Sequence, residues 1–364
     1  MSDKENQVEN QPESHTEDMT PEERLPISVL TGFLGSGKTT LLKHLLQQPH
    51  MENTAIVINE FGEVGLDHLL VEKADEDMVV MDSGCLCCSI RGDLVETLRN
   101  LLKRRWNKEI PQFDRLMIET TGLADPAPIL HTLMTDPVLS HRYRLDGVIV
   151  CIDAANGMAT LDTQFESVKQ AAVADRLLLT KTDIAGDIKA LTNRLATLNP
   201  AALITPIIDG EIAADKLFNL GLYDPETKTT DVKKWLQEEA YKDQHDHQHA
   251  HAHAHHDPNR HGDGVRAFCI TYDKPIKWDS FVDWMEGLIA TNGNNLLRMK
   301  GILDIEEAVG PVAVHGVQHV FHPPSMLESW PDDDHRSRIV MITRQINKEP
   351  VEKMFRKFME EPML

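Results

Sequence analysis

Regular patterning begins at Leu25. Upstream, positions 1–24 carry eight acidic and two basic residues and almost nothing apolar. Such a stretch has too little surface to bury and predicts a disordered acidic tail. From Leu25 on, short apolar runs alternate with amphipathic stretches. Ile27-Ser28-Val29-Leu30 reads as a strand that ends in a glycine-rich turn, and Thr39 to Gln48 as the following helix. Thr54 to Asn59, Asp77 to Met81 and Arg115 to Ile118 read as further strands, with a helix pattern from about Asp93 to Arg104. Gly147 to Ile152 is almost continuous Val and Ile, as a strand buried on both faces should be. Arg176 to Thr180 repeats that pattern between two helix-like stretches. Alternating strands and helices imply a mainly parallel sheet covered on both sides.

The pattern changes at Asp209. A plausible helix around Ala213 to Leu220 gives way to polar sequence, and from His245 to His256 histidine occupies nearly every second position. This low-complexity tract is the clearest boundary in the chain. Beyond it, strand-like runs at Ala267 to Tyr272 and Arg338 to Thr343, with amphipathic helix patterns near Ser280 to Ala290 and Pro350 to Met359, predict a small α+β domain. The expected organisation is an acidic tail (1–24), an α/β domain (25–208), a linker with the histidine tract (209–264) and the C-terminal domain (265–364). Two folded units suit 364 residues at roughly 150 per domain.

Composition narrows the class. With 37 Lys and Arg against 58 Asp and Glu, the net charge is −21. That balance argues against a sequence-independent nucleic-acid binder and against docking on an anionic membrane face. No run approaches the 18 or so apolar residues of a membrane span. The N-terminus lacks the positive-then-apolar order of a secretion signal, so a cytoplasmic protein is expected. Of five cysteines, Cys85, Cys87 and Cys88 fall within four residues. This is no disulfide framework; it points to a reduced compartment and a metal or redox site. Cys151 and Cys269 lie in strand-like runs and read as core.

Gly32-Phe33-Leu34-Gly35-Ser36-Gly37-Lys38-Thr39 fits G-x-x-x-x-G-K-[ST]. Glycines let backbone N–H groups turn around phosphates, and the helix that follows presents its positive end to the same anion. Lys38 can reach the β- and γ-phosphates, and the Thr39 hydroxyl can ligate Mg²⁺. Gly32, Gly35, Ser36, Gly37 and Thr40 complete the expected phosphate site. The motif makes the first domain a P-loop NTPase. Glu119 follows a buried strand, where an acidic residue can hold Mg²⁺ through water, and Gly122 can offer its N–H to the γ-phosphate. Thr180-Lys181-Thr182-Asp183 resembles the guanine-reading N-K-x-D, with Thr at its first position. Asp183 would accept from the guanine N1–H and 2-amino group, donors that adenine lacks. GTP is therefore the expected nucleotide.

Three thiols in Gly84-Cys85-Leu86-Cys87-Cys88 can supply three soft ligands to one ion, and thiolates favour Zn²⁺ or Cu⁺ over Mg²⁺. No second ligand pair follows, which suggests an open or exchangeable site. Taken in order, GFLGSGKTTLL, NEFGEVGLD, GCLCC, ETTGLADP and TKTD resemble the CobW-type P-loop GTPase metallochaperones, and the likeness runs from Leu25 to Met359. The resemblance implies a GTPase that loads or delivers a transition metal to a client metalloprotein. It places the metal on Cys85, Cys87 and Cys88, and Glu60, Glu63 and Asp67 on the first switch loop. Glu60 and Glu63 read as additional ligands or water-positioning groups, or as plain solvated carboxylates.

Seven histidines (His245, His247, His249, His251, His253, His255 and His256) give a flexible tract that can bind Zn²⁺, Co²⁺, Ni²⁺ or Cu²⁺ weakly and in several ways. The leading expectation is a GTP-driven zinc chaperone. A Co²⁺ chaperone or accessory in cobalamin synthesis or metalloenzyme activation is the alternative, and a passive histidine-tract buffer a third. An oligomer is compatible with the sequence. Hydrolysis is expected to be slow, because no Arg finger or water-orienting Gln is evident.

Overall fold

The computed structural model describes residues 23–59, 78–80, 86–90, 93–218, 220, 264–321 and 323–360. Among these, the first domain is built on an eight-stranded sheet in the order β3-β4-β2-β5-β1-β6-β7-β8. Its strands are β1 (Leu25–Thr31), β2 (Thr54–Asn59), β3 (Met78–Val80), β4 (Leu86–Ile90), β5 (Arg115–Thr120), β6 (Tyr143–Asp153), β7 (Arg176–Thr180) and β8 (Leu203–Pro206). Every pairing is parallel except that of β3 with β4. The expected mainly parallel sheet is thus present, with an antiparallel edge.

Helices cover both faces. On one face, α1 (Lys38–Leu45) packs Leu41, Leu42 and Leu45 against Leu30, Ile56, Ile149 and Leu178. On the other lie α2 (Leu94–Trp106), α3 (Pro126–Thr135), α4 (Pro137–Arg142), α5 (Gly157–Thr163), α6 (Phe165–Val173) and α7 (Lys189–Leu198), with Leu98, Leu130, Val168 and Leu195 in one core with Val29, Val57, Ile118 and Val150. Residues alternate between these two cores along β1 and β5, as the two-residue strand period requires. The helix expected over Ala213 to Leu220 is only a 3₁₀ turn at Ala214–Leu217. Its Ala214 N–H and Ile212 carbonyl are both held by the Gln48 amide, so the segment follows a side chain rather than a helical ladder.

The second sheet runs β12-β11-β10-β14-β9. It comprises β9 (Val265–Tyr272), β10 (Leu296–Leu303), β11 (Val312–Val317), β12 (Val320–Phe321), a short β13 (Ser325–Met326) paired with β11, and β14 (Ser337–Arg344). Helices α8 (Trp278–Asn292) and α9 (Lys348–Glu360) cover one face through Phe281, Trp284 and Phe355. The opposite face, carrying Ala267, Cys269, Leu297, Val340 and Ile342, joins the core of the first domain.

Polar contacts cross this seam. Asp175, immediately before β7, receives Arg298 Nη2 at 2.5 Å and Lys300 Nζ at 2.6 Å on one carboxylate oxygen, and the Val148 N–H at 2.9 Å on the other. Arg298 also donates to the Val173 carbonyl at the end of α6. Further along, Gln318 reaches Asp125 at 3.3 Å, and the Arg344 guanidinium lies over the Phe165 ring. No helix among the described residues is long and apolar enough to cross a membrane.

Candidate functional site

The C-terminal ends of the parallel strands share one edge, where ligands of open α/β sheets bind. There β1 ends at Thr31 and the glycine-rich loop begins. Gly32 has φ +141°, and a Cβ on it would stand 2.4 Å from the Cys151 carbonyl, so only glycine fits beneath this loop. Gly37, at φ +88°, turns the chain into α1. Lys38 Nζ donates to the carbonyls of Gly32 (2.8 Å) and Phe33 (3.2 Å), which keeps its charge against the loop. Thr39 and Thr40 are exposed on the first turn of α1. Ser36 behaves differently. Its hydroxyl is buried without a hydrogen-bond partner and lies under Gly32. It lines a cavity of about 220 Å³ together with Cys151, Asp153, Asn156, Thr160 and Ser167.

The neighbouring strand β5 ends in Glu119, which is 7% exposed, and Thr120, whose hydroxyl donates to Thr31 Oγ1 at 2.7 Å. Glu119 sits in register with Leu30 of β1 and Ile58 of β2, beside the start of the glycine loop. Gly122 follows. A Cβ there would meet the backbone of Leu34 at 2.5 Å, so the Gly122 turn lies flush on the phosphate loop. From the other side, Gln170 of α6 donates to the carbonyls of Gly122 (3.2 Å) and Ala124 (3.0 Å).

At the end of β7, Thr180 is buried. Its hydroxyl lies 2.8 Å from the Ser36 carbonyl and 3.2 Å from that of Ile152. The first residue of the T-K-x-D motif therefore ties the phosphate loop to β6 and β7. Lys181, at φ +56°, pairs with Asp153 at 2.8 Å. Burial raises the Asp153 pKa, but Lys181, the Asn156 side chain and the Asn156 N–H outweigh it and hold the carboxyl below its ordinary value. Asp183 is exposed beyond them, open to a ligand.

Cys87 and Cys88 belong to β4, in register with Ile56 and Val57 of β2 and with Val79 and Met78 of β3. The thiol motif is therefore partly strand, where the sequence reading placed no element. Cys85, Glu60, Glu63, Asp67, and the tract from His245 to His256 lie outside the described residues. Among the described residues no group of three or more His, Cys, Asp or Glu could hold a metal. Cys151 and Cys269 are buried, as expected of core thiols. Burial, opposed by Lys38 and aided by Glu119, pushes the Cys151 thiol up to about 12, so it is protonated at neutral pH. Gln170 carries no sequence motif, and the contact of the His131 and His319 rings at 5.5 Å across the seam depends on how the domains pack.

A glycine loop closing on a helix, an acidic strand end beside it and a T-K-x-D turn on a third strand define a P-loop nucleotide hydrolase. Family models place it further: residues 26–206 match the CobW/HypB/UreG nucleotide-binding domain and residues 265–359 the cobalamin synthesis protein cobW C-terminal domain. The chain belongs to the CobW/HypB/UreG family and is a GTPase. It is 34% identical over 331 residues to the zinc chaperone YjiA of Escherichia coli, covering 91% of this chain and 98% of that one. It is 27% identical to the zinc chaperone CobW of a Sinorhizobium species, over 78% of this chain and 82% of the other. The crystal structure of Zn(II)-bound YjiA GTPase from E. coli superposes with a TM-score of 0.71 at 32% identity, covering 92% of this chain and 99% of that one.

Proposed function

We propose that this protein is a GTP-driven zinc chaperone, binding zinc at Cys85, Cys87 and Cys88 and passing it to a client metalloprotein. The observation that carries the reading is the strand order. The strand bearing Cys87 and Cys88 is hydrogen-bonded to β2, and β2 to β5, which ends in Glu119 and leads into Gly122. The thiol motif is thus two strands from the turn that would contact the γ-phosphate. A change there has a short path to the metal ligands, and linkage makes the effect reciprocal: zinc must alter GTP affinity if GTP alters zinc affinity. The zinc-chaperone relatives support zinc over cobalt as cargo, as does the softness of thiolate ligands.

In this reading Gly32, Gly35, Ser36 and Gly37 wrap the phosphates with backbone N–H groups. Lys38 exchanges its loop carbonyls for phosphate oxygens, and Gly122 N–H meets the γ-phosphate. Thr39 and Glu119 supply the hard oxygen donors that suit Mg²⁺, which when bound neutralises charge on the β- and γ-phosphates. Asp183 reads the guanine edge while Lys181, held by Asp153, flanks it. The histidine tract collects metal weakly.

The test is a Zn²⁺ titration of reduced, metal-free protein against a competing chelator, with GDP·Mg²⁺ and with a non-hydrolysable GTP analogue, repeated on Cys87→Ser and on a variant lacking residues 245–256. A tight single-ion site that shifts with nucleotide, survives the deletion and is lost in Cys87→Ser is expected. Weak, multiple, nucleotide-independent binding that disappears with the tract would leave only a metal buffer attached to a GTPase.

A further inference from the structure

We infer that Gln170 is a positioning residue for the GTPase reaction: it holds the Gly122 turn in the conformation that distinguishes GTP from GDP. The inference rests on the proposed contact between Gly122 N–H and the γ-phosphate. Gln170 is fully buried in the middle of α6, among Val168, Ala171 and Ala172. Its Nε2 donates to both the Gly122 and Ala124 carbonyls, while its Oε1 is buried with no hydrogen-bond partner. The two carbonyls fix which end of the amide is nitrogen, since the flipped amide would set oxygen against oxygen.

Gln170 makes two hydrogen bonds to the turn while leaving one buried oxygen unpartnered, so its amide is placed to serve the turn carbonyls. What an apolar residue cannot do is restrain the Gly122–Leu123 and Ala124–Asp125 peptides. Leu34 closes the opposite side of the turn so tightly that no Cβ fits on Gly122. The turn is therefore clamped between the phosphate loop and the Gln170 amide. A donor pinned before the ligand arrives loses less freedom on contact, and that gain falls only on the nucleotide with the third phosphate.

The helix that presents Gln170 is itself anchored to the second domain. Lys169 pairs with Asp125 at 2.7 Å, Gln318 of the C-terminal domain approaches the same carboxylate oxygen, and Arg298 takes the Val173 carbonyl at the helix end. The clamp on the γ-phosphate turn thus has its footing in the domain seam.

Full-length protein would be compared as Gln170→Met, Gln170→Glu and Gly122→Ala. The affinities of fluorescent mant-GDP and mant-GppNHp and the kcat and KM of GTP hydrolysis would be measured for each. Gln170→Met is expected to keep mant-GDP affinity within about twofold, reporting an intact fold, while mant-GppNHp weakens about tenfold, the equivalent of one hydrogen bond of roughly 1.4 kcal/mol. Because hydrolysis is slow, KM tracks GTP affinity and should rise by a similar factor. A buried glutamate facing two carbonyl oxygens has a raised pKa. Gln170→Glu therefore regains a donor on protonation, and its GppNHp-to-GDP ratio recovers as pH falls from 8 to 6, which Gln170→Met does not show. If Gly122→Ala shifts the ratio and both Gln170 variants leave it as in the wild type at every pH, the role assigned to Gln170 is overturned and the Gly122 contact stands. If none of the three variants shifts it, the Gly122 contact itself is wrong and the inference falls with it.

Discussion

Thr180 shows how a residue can be placed in the right site for an incomplete reason. Its position in T-K-x-D marked it as part of a base-reading turn, and the turn is where the sequence put it. Its hydroxyl, however, is spent on the Ser36 and Ile152 carbonyls. Ser36 is 144 residues away in the chain, so no local pattern could reveal the pairing. Ser36 is the converse: its place in the glycine motif was legible, but its hydroxyl turns beneath the loop. Only backbone geometry shows this, because Gly32 at φ +141° leaves room for that oxygen. The Thr180 tether restrains the phosphate loop whichever nucleotide is bound. Thr180→Val keeps the shape and removes the donor, so GTP-analogue and GDP affinities should both fall, by about five- to tenfold for one buried hydrogen bond. Their ratio should stay fixed, the opposite signature to that of Gln170. Fluorescence titration with both nucleotides checks it, and unchanged affinities would show that the hydroxyl does not hold the loop.

Elements were legible where one force dominated. The Val- and Ile-rich run ending β6 and the Leu-rich β7 declared themselves by burial on both faces, and α1, α2, α8 and α9 by their apolar stripes. The misses have physical causes. Strand β10 is buried along its whole length, yet it carries Arg298 and Lys300. Its sequence breaks the apolar pattern because its charges are paired across the seam, which periodicity does not register. Strand β4 was hidden behind the chemistry of its cysteines. Helices α3 and α4 are marked by capping chemistry instead of periodicity: Asp125-Pro126 and Asp136-Pro137 each set an aspartate cap before proline at the first helical position. Asp125 does more than cap. It accepts from Ala127 N–H at 3.0 Å, pairs with Lys169 and receives Gln318 from the other domain. Asp125→Ala should therefore cost about 1–2 kcal/mol in urea unfolding, near the upper range for a lost cap. Asp125→Asn should recover the part owed to the cap alone. Equal stability of all three proteins would show that this helix start bears no load.

At the scale of the whole molecule, a charged cluster is closed within the apolar seam between the two sheets. Asp175, Arg298 and Lys300 have side chains only 8%, 8% and 10% exposed. Both cations meet one carboxylate oxygen, and the Val148 N–H satisfies the second. Burial alone would raise the Asp175 pKa; Arg298, Lys300 and the Val148 N–H overcome it and hold the carboxyl far below the ordinary carboxylate range. The sign of the linkage follows. A carboxyl with a depressed folded-state pKa contributes its full stability above its unfolded value of about 4 and loses it as pH falls below that toward the folded value. Asp175→Asn keeps the shape but removes the carboxylate charge that Arg298 and Lys300 share, so at pH 7 it should cost about 3–5 kcal/mol, the range for breaking a buried ion pair. The decisive feature is how that gap moves. Between pH 7 and 5 it should stay constant. Below about pH 4 it should narrow, because the wild type loses the charge the variant never had. Paired urea unfolding curves across this range measure it. A gap that is constant to pH 2, or absent at pH 7, would mean that the seam is held by its apolar face alone. A narrowing gap would make Asp175 the joint through which the second domain is fixed to β7, the strand whose far end carries Thr180, Lys181 and Asp183.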